Sequence, residues 1–228
     1  MKNAIIYLGL ATALLASCSQ KEDVDSPSSV PVPEAVDLGL SSGVKWASFN
    51  LGASKPEEYG YYYAWGETET KTKDDYSWAT YKWCMGDWNT MTNYCSKSDY
   101  GYNGFTDTKT ILNPKDDAAH ANLGGNWRMP TLLECLELKE KCTWTGTTQN
   151  GVNGRLVTGP NGNSIFLPAA GVRYDTDLDH VGATGAFWSS SLSTDHPYAA
   201  VEVLFYSDKV EVTENYRCRG ISVRPVCK

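Results

Sequence analysis

After the short cationic start Met1-Lys2-Asn3, the chain runs apolar without interruption from Ala4 to Leu15. That run has the length of a signal-peptide core and is too short to span a bilayer. Prolines and serines then dominate from Ser26 to Glu34, the composition of an extended linker. Alternating patterns begin near Ala35. Val36 to Leu40 and Val44 to Leu51 predict a hairpin about Ser41-Ser42-Gly43, and Tyr59 to Glu67 is aromatic and strand-like. Residues 68–109 keep no sustained period and predict a long loop packed down by its own aromatics.

Two helices follow. Asn113 is placed to cap the first, with Pro114 at its opening position, Asp116 and Asp117 near its positive end and Gly124 as its stop. Thr131 and Glu134 form the T-x-x-E capping box of the second, with Leu132, Leu133, Leu136 and Leu138 as its apolar face. The remainder reads as strands at 154–158, 164–167, 187–192, 198–206, 209–213 and 220–226, with a polar loop at 171–184. Strands outnumber helices and no βαβ rhythm appears. The expected class is α+β, with two short helices packed on antiparallel sheet and joined by long loops.

The leader carries its own chemistry. Leu15-Ala16-Ser17-Cys18 resembles the bacterial lipobox, in which a cysteine is cleaved free and lipidated. The expected division is a signal peptide at 1–17, an acylated Cys18 and tether at 18–34, and a domain at 35–228. Several acyl chains on one residue anchor stably where one does not. Gln20-Lys21 followed by Glu22-Asp23 is similar to the export signal that sends lipoproteins of Bacteroidota to the outer face of the outer membrane. The expected location is therefore the outer membrane, lipid-anchored and surface-exposed.

Composition changes the picture in two ways. Leu, Ile, Val and Phe make up only 43 of 228 residues, while Trp and Tyr contribute 8 and 14. The core must lean on large aromatics, or a binding surface must carry them. The net charge of −7 argues against a nucleic-acid partner, which needs a basic footprint. Beyond Cys18 six cysteines remain, an even number that suggests disulfides in an exported protein. Cys84 and Cys95 flank a loop they could staple, and Cys142, Cys218 and Cys227 sit where they could tie the second helix to the last strands. Cys135 lies two helical turns from Cys142, ~10 Å along the axis, beyond disulfide reach.

Candidate chemistry is sparse. Gly39-Leu40-Ser41-Ser42-Gly43 matches G-x-S-x-G, but strand rather than helix follows, so a hairpin turn is expected. Asp195-His196 near Ser189 to Ser191 lacks an orienting order for a catalytic triad. Asp175, Asp177 and Asp179 alternate like the start of a calcium loop, although His180 and Ala186 replace the glycine and glutamate an EF-hand needs. Glu67 could serve one half of a glycosidase carboxylate pair. Trp78, Trp83, Trp88 and Tyr62 are candidates to stack on sugar rings.

Three blocks of sequence carry a resemblance. Val36-Asp37-Leu38-Gly39-Leu40, Trp46-Ala47, Asn50-Leu51-Gly52-Ala53 and Tyr62 to Glu67 form the first. Asp116-Asp117-Ala118-Ala119 with Gly124 to Thr131 and Glu134 forms the second. Ile165 to Gly171, Phe187 to Ser191 and Ser222-Val223-Arg224-Pro225-Val226 form the third. In this order they resemble the Fibrobacter succinogenes major paralogous domain family, found in many lipoproteins of Bacteroidota. The resemblance implies a C-type lectin-like fold, shared with formylglycine-generating enzymes. The EPN, QPD and WND lectin motifs are absent, and Cys218 and Cys227 lack the surroundings of an oxygen-activating pair. The expected role is a non-catalytic binding module for glycans, against two alternatives: an adhesive envelope component that binds proteins, and an enzyme.

Overall fold

A computed structural model describes residues 30–72 and 75–228. Residues 1–29, which hold the expected signal peptide, Cys18 and most of the expected tether, lie outside the described residues. The fold is mixed α+β and mostly antiparallel. It opens with β1 (Ala35–Asp37) and β2 (Lys45–Ala47), joined by a turn in which the Gly43 amide donates to the Leu40 carbonyl. The G-x-S-x-G match is therefore a hairpin turn running into strand, as its flanks require.

Of the aromatic run 59–67, only β3 (Tyr62–Tyr63) is strand. The described part of 68–109 has single bridges and two one-turn 3-10 segments, so the long excursion is as expected. The first helix departs from expectation. Pro114–Asp116 forms a separate 3-10 turn, and α1 (Ala118–Leu123) begins behind Asp117. Asp117 is the cap because its side chain accepts from the His120 amide at 3.0 Å, whereas Asn113 makes no side-chain cap bond. Gly124, at φ 68°, stops the helix.

α2 (Leu132–Lys141) has the expected capping box at Thr131 and Glu134. Its buried face differs. Glu134, Cys135 and Leu138 point inward, while Leu133 is 74% exposed. Residues three apart share a helical face, so Cys135 with Leu138 sets the stripe and Leu133 falls outside it.

Seven strands follow: β4 (Thr143–Gln149), β5 (Val152–Thr158), β6 (Ser164–Pro168), β7 (Val172–Tyr174), β8 (Asp177–Asp179), β9 (Gly185–Leu192) and β10 (Ala199–Phe205). Then come β11 (Val210–Tyr216), β12 (Ile221–Ser222) and β13 (Val226–Cys227). Two features were not expected. β4 pairs with β5 about Asn150-Gly151, and the loop expected at 171–184 contains the ribbon β7–β8.

The central sheet runs β11-β10-β9-β12-β3, and only β9–β12 is parallel. All eight residues of β9 are buried, because both of its faces are covered. Phe187 points into a core with Trp46, Cys135, Leu138 and Phe205; Trp188 points into another with Trp65, Tyr94 and Ile221. β1, β2 and β13 make a second sheet, so the first and last strands of the domain share one layer.

The blocks that carry the family resemblance converge as fastenings. Arg224, fully buried, donates to the Asn50 side chain and to the carbonyls of Ala47 and Phe166 at 2.8–3.0 Å. Burial pushes its guanidinium down to about 9. The Trp65 indole donates to the Ser189 carbonyl, and the Trp188 indole to the Tyr63 carbonyl. Arg128 grips Glu134 with both Nη atoms, and Asp117 also accepts from the Met129 amide. These motif residues stabilise the fold, and their polar atoms have internal partners.

Candidate binding groove

Sequence reasoning leaves the loop aromatics undecided between core and surface, and the structure divides them. Tyr62 is buried, its hydroxyl donating to the Ala170 carbonyl at 2.6 Å; it is a core residue, not a ligand contact. Trp83 is half-buried, its indole donates to the Gly66 carbonyl, and its ring meets Tyr94 edge-on. Trp78 and Trp88 join a different group. Trp88 packs on Tyr100 and Tyr198 at 5.6 and 5.3 Å, Tyr198 on Tyr216 at 5.8 Å, and Tyr216 on Trp78 at 6.0 Å. The three candidate tryptophans therefore do not line one cleft. Two of them belong to a strip of rings centred on Tyr198 and Tyr216.

What holds that strip is a second buried arginine. Arg217 donates to the carbonyls of Asn93, Tyr94 and Pro197 and to the Tyr81 hydroxyl, and its guanidinium lies 4.9 Å from the Trp65 ring. It thereby fastens the long loop and the 193–198 turn to the central sheet. Tyr94 needs the help, since its backbone is left-handed at φ 54°. The Asp107 carboxylate accepts from its amide, and its hydroxyl donates to Asp116.

The strip ends on a groove. Three cavities of about 610, 280 and 310 Å³ adjoin one another through shared lining residues. The first and second share His180, Thr184 and Tyr206; the second and third share Asn215 and Arg219. Arg219 sits at the junction, its guanidinium 3.4 Å above the Tyr174 ring and 5.8 Å from Tyr216. Arg173 and Gly220 exchange backbone hydrogen bonds, which locks β7 beside this segment. Gly220 is required there, because a Cβ would meet the Tyr76 ring at 2.8 Å.

Beneath the junction lies Glu202. Its Oε1 accepts from the Asn215 amide at 3.1 Å, and its buried Oε2 has no partner among the described residues. Burial pushes its carboxyl up to about 7, against the opposing pull of Asn215 and Arg219. The buried Nε of Arg219 likewise lacks an acceptor among the described residues.

The other candidate sites are accounted for differently. Asp177 and Asp179 lie along β8 and Asp175 in the turn before it, where its carbonyl accepts from the Tyr76 amide. Among the described residues no three His, Cys, Asp or Glu side chains converge to hold a metal ion. The aspartate spacing is that of a ribbon, which the loop reading did not foresee. Ser193 and His196 both bind Glu214, at 2.7 and 3.1 Å, so the carboxylate stands between serine and histidine and no serine–histidine relay forms there. Glu67 is paired with Lys71 and caps the Lys82 amide.

Cys84, Cys95, Cys135, Cys142, Cys218 and Cys227 are not joined to one another in this structure. Burial raises all six, Cys142 to about 11 and Cys218 to about 12, which disfavours the nucleophilic thiolate. Cys218 packs with Cys84 and Cys95 around the loop, whereas Cys227 belongs to β13 in another sheet.

A fourth cavity of about 500 Å³ is lined by motif residues, including Asp117, His120 and Arg128. Their polar groups are already bonded internally. The groove is where unsatisfied chemistry and exposed rings coincide.

Sequence reasoning missed Tyr174, Tyr206, Tyr216 and Arg219. The signal for the last two was the string Tyr216-Arg217-Cys218-Arg219, which sets two cations and an aromatic within four residues. No family model, curated protein or solved structure matches this chain.

Proposed function

We propose that this protein is a non-catalytic glycan-binding module, carried on a lipid anchor at Cys18 and displayed at the outer-membrane surface. One observation carries the binding reading. Tyr206, Tyr174, Tyr216 and Trp88 are 39%, 43%, 46% and 43% exposed, and they succeed one another along a single groove and its end. Large rings left open to water at intervals along a channel suit the apolar faces of successive sugar rings. The fold we assign to this module is C-type lectin-like, on the strength of the motif blocks, and the export pattern Gln20 to Asp23 supports surface display.

The test is a glycan array probed with the full-length protein in a non-glycosidic detergent. Binding is expected, and Y216A and W88A should each weaken it at least fivefold while W127A, placed at the other cavity, should not. A blank array with folded protein refutes the glycan reading. A cross-linked protein partner that persists in Y216A would favour the adhesive alternative instead.

A further inference from the structure

Resting on the groove as a glycan site, we propose that its ligand is acidic, and that Arg219 receives a sugar carboxylate. The argument begins with what arginines do elsewhere in this chain. Arg217 and Arg224 donate to carbonyls and side chains in the core, Arg128 to Glu134, and Arg155 to the Tyr206 carbonyl. Each is a fastening. Arg219 makes no such bond: its Nε is buried without an acceptor among the described residues, and the nearby Glu202 carboxyl attracts it through space without a hydrogen bond or contact ion pair.

It is nevertheless held in place. The Tyr174 ring lies flush beneath it at 3.4 Å and Tyr216 flanks it at 5.8 Å. Stacking of this kind occupies the face of the guanidinium and leaves its in-plane N–H donors pointing outward. The Nη donors, not the buried Nε, are the ones left to face the junction of two cavities, since Arg219 lines both. A planar fork of donors fixed by stacking matches the two coplanar oxygens of a carboxylate.

The surroundings suit a sugar that bears the acid. Tyr174 lines the second cavity and Tyr216 the third, and Asn215 lines both. Of the neighbouring acids, Glu214 is engaged by Ser193 and His196, and Glu202 lies below the floor with its Oε1 on Asn215. Asp179 at the rim of the second cavity sets a limit: the ligand's negative groups must be spaced, as on alternate sugars, rather than dense.

The test titrates the full-length protein with a hyaluronan oligosaccharide, which bears a uronate on alternate sugars, with the same oligomer after reduction of its carboxyls to alcohols, and with a sulfated oligosaccharide. We expect the uronate to bind roughly tenfold tighter than its reduced form, a typical effect of one charge-assisted pair. R219Q should erase that preference, and R219K should keep part of it. Equal binding of uronate and reduced oligomer overturns the proposal while leaving the glycan groove intact. So does a preference retained in R219Q. Preference for the sulfated sugar alone overturns the carboxylate assignment. Failure of all three ligands together with a blank neutral-glycan array overturns the groove reading itself. The comparison of uronate with reduced oligomer needs no variant, so a misfolded R219Q would not shelter the idea.

Discussion

Arg217 and Glu202 are each completely enclosed, and they make opposite demands. Arg217 is satisfied on every side. Replacing it with methionine keeps much of the volume but strands three carbonyls and takes from the Tyr81 hydroxyl the donor it accepts, leaving only its own bond to the Trp65 carbonyl. At about 1–3 kcal/mol for each unsatisfied group, and with losses that do not simply add, R217M should lower stability by roughly 4 kcal/mol in urea unfolding. Glu202 is under-satisfied, and its carboxyl titrates near 7 when folded against 4.5 in the free residue. Between those values the folded state keeps a proton that the unfolded chain has released. Stability must therefore fall as pH rises from about 4.5 to 7, at up to about 1.4 kcal/mol per pH unit, and level off above. E202Q should flatten that slope and raise the melting temperature at pH 8; an unchanged pH profile would contradict the assignment. Neither role was legible in the sequence. A glutamate in the alternating run Val201-Glu202-Val203 reads as solvent-facing, yet the fold buries it beside Asn215 and Arg219. Likewise Tyr61, exposed, and Tyr62, buried, are neighbours of one residue type, so their fates depend on partners far along the chain.

Elements were readable in proportion to how locally they are specified. α2 was legible because its cap is local: Thr131, Glu134 and their reciprocal bonds lie within one turn. T131A should cost about 1 kcal/mol, read as a lower urea midpoint with an unchanged slope. β4 was harder, because Thr143 to Gln149 is largely exposed and threonine-rich, with no apolar alternation to read. Its hairpin did leave a mark in Asn150-Gly151, both left-handed at φ 48° and 85°, the pair that two-residue hairpin turns favour. G151A forces a side chain into that conformation and should cost about 1 kcal/mol, with the loss visible in exchange of β4 and β5 amides. The ribbon β7–β8 was illegible for another reason. Its strands have three residues each, below the length at which period 2 can be recognised, and the ribbon is held by Gly220 and Tyr76 rather than by its own pattern.

For the whole molecule, the α+β class followed from counting elements, but the sheet order did not. β12 slots between β9 and β3, and β13 joins β2, so the last residues complete two sheets laid down much earlier. Deleting residues 221–228 removes both strands and the Arg224 clamp. The expected result is a chain without cooperative unfolding, measured by circular dichroism on heating. The groove was invisible at this scale too, since its walls come from β4, β5, β7, β8, β10, β11 and the loops between them. No segment of the sequence contains it.

The turn Tyr216-Arg217-Cys218-Arg219 buries its two middle residues and leaves its two outer ones at the surface, so the clamp of the core and the rim of the groove are one piece of chain. That has a kinetic consequence. Rings seated on such a piece have no separate closing motion to complete when a ligand arrives. Association should follow a single exponential whose rate rises linearly with ligand concentration, without the plateau that marks a slow conformational step. In stopped-flow tryptophan fluorescence, a saturating rate would mean that the groove assembles only after encounter.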